Sequence, residues 1–199
     1  MAKVVIIDSG GANIASLKFA LARFGVDADL TTDPALISEA DRVILPGVGA
    51  AKDAMRRLCD ADLVDVIRQL RQPVLGICLG LQLLSEASDE ENVECLGVFA
   101  GRATKLPGSP QLPVPNMGWC PVQQSGNHPV FEGISDGAHF YFVHSYAVPV
   151  SKQTVGAAEH ASSFSAVLAN DNFVAAQFHP ERSSLAGARF LRNFMEWSP

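Results

Sequence analysis

Along the first part of the chain, short unbroken apolar runs alternate with stretches of helical periodicity. Val4-Val5-Ile6-Ile7, Val43-Ile44-Leu45 and Val74-Leu75-Gly76-Ile77 are too short for helices and lack the alternation of a half-exposed strand. They predict strands buried on both faces. Between them, apolar residues recur three and four positions apart. Ile14, Leu17, Leu21 and Phe24 precede Gly25, with Asn13 placed to cap the helix they predict. A candidate strand at 26–30 leads to Asp33-Pro34, which opens a short helix reaching Ala40. Two further helices follow, one carrying Ala51, Ala54, Met55 and Leu58, the next Leu63, Val66, Ile67 and Leu70. Leu79, Leu83 and Leu84 predict another that begins directly after Cys78. Strands and helices in this rhythm form parallel β-α-β units.

The second half changes character. Five prolines from Pro107 to Pro121 predict a long irregular connection. Strand-like runs follow at 140–143, 154–158 and 173–178, and a last helix carries Phe190, Phe194 and Trp197. The predicted fold is α/β: a doubly wound, mostly parallel sheet flanked by helices, with antiparallel β added in the C-terminal half. With 199 residues and no linker or repeat, a single domain spanning 1–199 is expected.

Composition narrows the function. A hydrophobic share of 48% supports a real core, and a net charge of −6 argues against general nucleic-acid binding. The four cysteines form no C-x-x-C pair, so no zinc site or disulfide framework is expected and a reducing cytoplasm fits. The N-terminal apolar run is too short for a signal peptide, and no run approaches membrane-spanning length. Gly10-Gly11 lacks the remainder of a nucleotide-binding fingerprint, and no metal or cofactor is called for.

In an open α/β sheet the crevice outside the strands' carboxyl ends binds ligands, and three loops fall there: the one after Asp8, Pro46-Gly47-Val48-Gly49, and Cys78. Gly76-Ile77-Cys78-Leu79-Gly80 has the spacing of a nucleophile elbow with a thiol as nucleophile. A strand-to-helix corner crowds any side chain at either glycine, and the helix start favours the thiolate. The Leu79 N–H would meet a developing oxyanion, and Gly47 and Gly49 would bring further backbone N–H groups to the site. A thiol needs an imidazole, and the imidazole an orienting group. His179 leaves a predicted strand end, and Glu181, two positions on in an extended segment, turns towards its ring. His128, beside Pro129 in a polar turn with no such acid, reads as a turn residue. Gln82, one turn beyond Cys78, is placed to bond a polar substrate. Singly, each reads as well as core filler, a structural histidine, a Pro-Gly turn or a helix glutamine. Their joint placement at strand ends favours Cys78 as nucleophile, His179 as base and acid, and Glu181 as orienter.

These residues resemble the class I (triad) glutamine amidotransferases over the whole chain. Pro115-Asn116-Met117-Gly118-Trp119 and Tyr141-Phe142-Val143-His144-Ser145-Tyr146 are similar to the glutaminase subunits of imidazole glycerol phosphate synthases of histidine biosynthesis. The resemblance implies that Cys78 forms a glutamyl thioester, with Leu79 and Gly49 N–H groups as the oxyanion hole. It implies that Gly47, Gln82, Ser145 and Tyr146 hold the substrate. It also implies a (β/α)₈-barrel cyclase partner that receives the ammonia, near Asn13, Met117, Trp119, Tyr141 and Arg182. Ser9, Ala12, Cys120 and Arg182 depart from the residues usual there, tyrosine, glycine, asparagine and lysine respectively. Alternatives are a glutaminase of another synthase (anthranilate-type), a stand-alone cysteine hydrolase, and a non-catalytic module expected to lack a triad member.

Overall fold

The computed structural model describes residues 2–10 and 14–199. The apolar runs form β1 (Val4–Ile7), β2 (Ala28–Thr31), β3 (Arg42–Gly47) and β4 (Val74–Cys78). The periodic stretches form α1 (Ile14–Ala22), α2 (Pro34–Ser38), α3 (Ala51–Asp60), α4 (Leu63–Gln69) and α5 (Leu79–Leu84). All four residues of β1 are buried, because helices cover both faces of the sheet. Val4 and Ile6 join Leu17 and Leu21 of α1 in one core cluster. Val5 and Ile7 join Leu58 of α3 and Ile67 of α4 in the other. Asp33 caps α2 as a free carboxylate should, accepting from the N–H groups of Ala35 and Leu36. The expected cap Asn13 lies outside the described residues.

After α5 the chain departs from the predicted pattern. It forms β5 (Ser85–Ser88), β6 (Val93–Glu94), β7 (Phe99–Lys105), β8 (Asn116–Pro121) and β9 (Gln123–Gln124). Then come β10 (His139–His144), β11 (Tyr146–Ala147), β12 (Thr154–His160), β13 (Ser162–Asn170), β14 (Phe173–Ala176) and α6 (Ser184–Glu196). The connection expected to be irregular up to Pro121 therefore ends in a strand. Residues 116–120 contain no proline, and Pro121 sits at the strand's last position, opposite His139. The strand β13 and the small sheet β11-β7-β5-β6 were not predicted. These short or irregularly patterned segments gain regularity from pairing with neighbours.

The main sheet has the order β2-β1-β3-β4-β14-β13-β12-β9. Pairings from β2 through β14 are parallel, and β13, β12 and β9 add antiparallel pairings at one side. The chain thus has the α/β class expected, with antiparallel strands from its C-terminal half. The placement of β14 matters most: it lies directly beside β4, so segments far apart in sequence leave the sheet as neighbours. Beneath the crevice, Phe178 stacks on Phe140 with ring centroids 4.0 Å apart and meets Phe142 and Phe190 edge-on. Among the described residues, no helix is long and apolar enough to cross a membrane.

Candidate active site

Cys78 ends β4 and begins α5 with φ 55° and ψ −108°, a backbone conformation that L-residues rarely adopt. Its glycine neighbours make that turn possible. A Cβ at Gly80 would fall on the carbonyl oxygen of Leu45, and one at Gly76 would come within 2.7 Å of Leu84 and 2.9 Å of Ala175. The elbow predicted from spacing is therefore enforced by close packing of β3, β4, β14 and α5.

His179 follows β14, the strand adjoining β4. Its N–H donates to the Tyr141 carbonyl at 2.9 Å, which holds the residue against β10. The ring Nδ1 lies 2.9 Å from Glu181 Oε1, so Nδ1–H donates to the carboxylate and Nε2 is left for the sulfur. Both side chains are buried. The expected contact is present, but its backbone is not extended: Pro180–Arg182 is a turn of 3₁₀ helix that folds Glu181 back under the ring. Burial by itself would push the imidazole down; the Cys78 sulfur and the Glu181 carboxylate outweigh it and raise it to about 10. The arrangement favours an imidazolium between two acceptors, ready to hand a proton to a leaving group.

Cys78 and His179 open onto a cavity of about 540 Å³, walled also by Gly49, Leu79, Gln82, Ser145, Tyr146 and Arg182. Gly49 carries φ +91°, which frees the loop after β3 to turn its peptides towards the site. Gln82 is buried, not partly exposed, and its Nε2 donates to the Tyr146 carbonyl at 3.0 Å. Gly47 takes a different place. It ends β3 opposite Cys78, and a Cβ there would meet Leu79 at 3.0 Å, so it packs behind the elbow and is not on the cavity wall. The loop after Asp8 also borders the triad from behind. Gly10 lines a small recess with His179 and Glu181, and buried Ser9 donates to the Pro46 carbonyl at 2.7 Å.

Two cavity residues escaped the sequence reading. Glu90, in the acidic run Asp89-Glu90-Glu91, reaches the cavity wall and accepts from the Ala51 N–H at 3.3 Å. His144 received no role. Its Nδ1 donates to the Tyr146 carbonyl at 2.9 Å and its Nε2 accepts from Asn116 at 3.1 Å. Burial lowers its pKa to about 4, so it stays neutral beside the site.

The β8–β10 ribbon has two faces. Register pairs Tyr141 with Trp119 and Val143 with Met117 on the outside, and Phe140 with Cys120 and His144 with Asn116 on the inside. Trp119 is 51% and Met117 63% exposed, so this tryptophan is not part of the core. Trp119 meets Tyr141 edge-on at 5.9 Å, and the Arg182 guanidinium lies 4.7 Å over the Tyr141 ring. Met117, Trp119, Tyr141 and Arg182 thus form one connected surface at the cavity rim; Asn13 lies outside the described residues.

Known proteins resemble this chain in sequence and in fold. The family described as glutamine amidotransferase class-I matches residues 5–197. Imidazole glycerol phosphate synthase subunit HisH 1 of Vibrio vulnificus (strain YJ016) is 47% identical, covering 98% of each chain. The subunit HisH of Pasteurella multocida (strain Pm70) is 48% identical, again covering 98% of each, and that of Haemophilus influenzae (strain 86-028NP) is 47% identical over the full length of both. Among solved structures, a glutamine amidotransferase from Thermotoga maritima superposes with TM-score 0.66 at 18% identity, covering 98% of this chain and 83% of that one. The glutaminase domain of Trypanosoma brucei CTPS, with bound acivicin, does so at 0.66 and 14%, covering 100% and 96%. These two show a common fold. With the family matched over nearly its whole length and an elbow cysteine set beside a strand-end histidine, this chain belongs to the class-I glutamine amidotransferases.

Proposed function

We propose that this chain is the glutaminase subunit of an imidazole glycerol phosphate synthase, releasing ammonia for a cyclase subunit in histidine biosynthesis. The observation that carries the chemistry is the side-by-side exit of Cys78 and the His179–Glu181 pair from adjacent strands into one cavity. The near-half identity to HisH subunits over the full length supports the pathway assignment.

The Cys78 thiolate attacks the side-chain amide carbon of glutamine. The tetrahedral oxyanion is met by N–H groups of Leu79 and Gly49. Imidazolium His179 protonates the amide nitrogen, the C–N bond breaks, and ammonia departs, leaving a thioester. Water, deprotonated by His179, then splits the thioester, so that glutamine and water become glutamate and ammonia. Gln82 and the Ser145-Tyr146 backbone hold the amino-acid end, and the Glu90 carboxylate supplies an acceptor for the α-ammonium group. Ammonia is protonated in bulk water at neutral pH, so a sheltered route to an acceptor enzyme keeps it nucleophilic. Met117, Trp119, Tyr141 and Arg182 form the docking surface for that enzyme, a (β/α)₈-barrel cyclase. Exposed aromatic, Met and Arg side chains are what interface centres favour. The chain works as one domain in the cytoplasm.

The test is glutamate release by the wild type and Cys78→Ala, each with and without the candidate cyclase and its ligand. We expect Cys78→Ala to be inactive and the cyclase with ligand to raise wild-type turnover. Activity in Cys78→Ala would remove the nucleophile, and indifference to the cyclase would remove the coupled synthase.

A further inference from the structure

Gln177 is wholly buried in an otherwise apolar segment, Phe173-Val174-Ala175-Ala176-Gln177-Phe178. A buried amide is costly unless both of its ends are bonded. The register Ala176 opposite Ile77 sets Gln177 next to Cys78 on the neighbouring strand. Its Oε1 accepts from Gln82 Nε2 at 3.2 Å, and its Nε2 donates to Cys78 Sγ at 3.8 Å.

That orientation is imposed from outside. The Gln82 amide nitrogen also donates to the Tyr146 carbonyl, which takes a second hydrogen bond from His144 Nδ1. Gln82 therefore presents N–H groups, Gln177 must answer with its oxygen, and its own N–H groups face the sulfur. The sulfur has a competing partner. As a thiol it donates to the Val143 carbonyl at 3.8 Å. As a thiolate it meets that carbonyl as a repulsive neighbour and needs a donor.

We infer that Gln177 is a further positioning residue of the reaction: its locked amide donates to the Cys78 thiolate and offsets the Val143 carbonyl. The inference rests on Cys78 being the nucleophile. Charged and titratable groups also facing the sulfur are His179 with Glu181 behind it, neutral His144, and Glu90 and Arg182 on the cavity walls. Substitution at Gln177 leaves all of these in place.

The experiment follows alkylation of Cys78 by iodoacetamide against pH, read by peptide mapping, in the wild type, Gln177→Met and Gln177→Glu. Mapping separates Cys78 from exposed Cys59 and from Cys95 and Cys120, whose thiols burial pushes up. The Met variant removes the donor at nearly constant volume. The Glu variant still accepts from Gln82 but turns an oxygen towards the sulfur, and it decides the matter if the Met variant does not fold. The alkylation midpoint should move up by about one pH unit in Gln177→Met and further in Gln177→Glu. With saturating glutamine, kcat at neutral pH should fall about tenfold, with KM changed less than about threefold. A wild-type alkylation profile in either folded variant would overturn the inference. Because alkylation is read without glutamine, that outcome is distinct from an active Cys78→Ala, which would instead remove the nucleophile itself.

Discussion

In the proposed mechanism Glu181 acts on the substrate only through His179, so its contribution should be visible as a shift in pH dependence. Its carboxylate helps hold the imidazole above its ordinary value, and Glu181→Gln removes that support. The alkaline limb of kcat/KM, where the imidazolium loses the proton meant for ammonia, should move to lower pH. Activity at neutral pH should fall by about 100-fold. An unmoved alkaline limb would mean that Glu181 only packs. Glu90 makes a different prediction, because in the proposed reaction it meets the substrate and not the reacting bond. Glu90→Gln should raise KM for glutamine by about tenfold and leave kcat within a factor of about two. A fall in kcat at constant KM would argue against an α-ammonium contact.

Among the elements, the β8–β10 ribbon joins two functions that a sequence shows only as adjacent letters. Period-two alternation sends Met117, Trp119 and Tyr141 outward and Asn116 and His144 inward, His144 reaching the cavity wall. The ribbon is also clamped to the base: the Tyr141 N–H donates to Ser183 Oγ at 2.9 Å, and Ser183 Oγ donates to the His179 carbonyl at 2.7 Å. The outer face is therefore linked through Ser183 to the segment bearing His179. Trp119→Ala should weaken cyclase affinity by about 2 kcal/mol or more, the loss typical of an interface centre, while basal glutamate release persists. Titration calorimetry of the two subunits measures it, and unchanged affinity would place the interface elsewhere. The same segment is anchored from below by Phe178, fully buried against Phe140, Phe142 and Phe190. Phe178→Ala should cost about 3–5 kcal/mol in urea unfolding.

For the molecule as a whole, the neutral His144 beside the site sets an acid limit on stability. Unfolded, an imidazole titrates near about 6.5; folded, burial holds His144 at about 4. Between those values the unfolded chain takes up a proton that the folded chain refuses, so stability falls as pH falls through this window. The loss is about 1.4 kcal/mol per pH unit and levels off below the folded value. His179 has the opposite sign. Its folded value is raised, so its contribution is complete below about 6.5 and fades as pH rises towards about 10. The stability difference between wild type and His144→Gln isolates the first effect, since other groups cancel. It should change by about 3 kcal/mol from neutral pH to below the folded value. A difference independent of pH would show that His144 does not titrate this way.

The amino-acid order by itself determined the parallel half of the fold and the elbow. Unbroken apolar runs, helical periodicity and Gly-x-Cys-x-Gly are local patterns, and local sterics suffice to explain them. It also marked His179 and Glu181, because a histidine followed by proline and an acid at a strand end is a short-range arrangement. What pairing and packing alone decided lies further off. The order that puts β14 beside β4 brings together positions 78 and 179, and no local preference records that adjacency. That Gly47 lies behind the elbow, while Gly49 lines the cavity, was decided only by how Leu79 packs against it. Glu90 and Gln177 carried no local signal in the sequence. They joined the site only when folding set Glu90 against Ala51 at the cavity wall and Gln177 between Gln82 and Cys78.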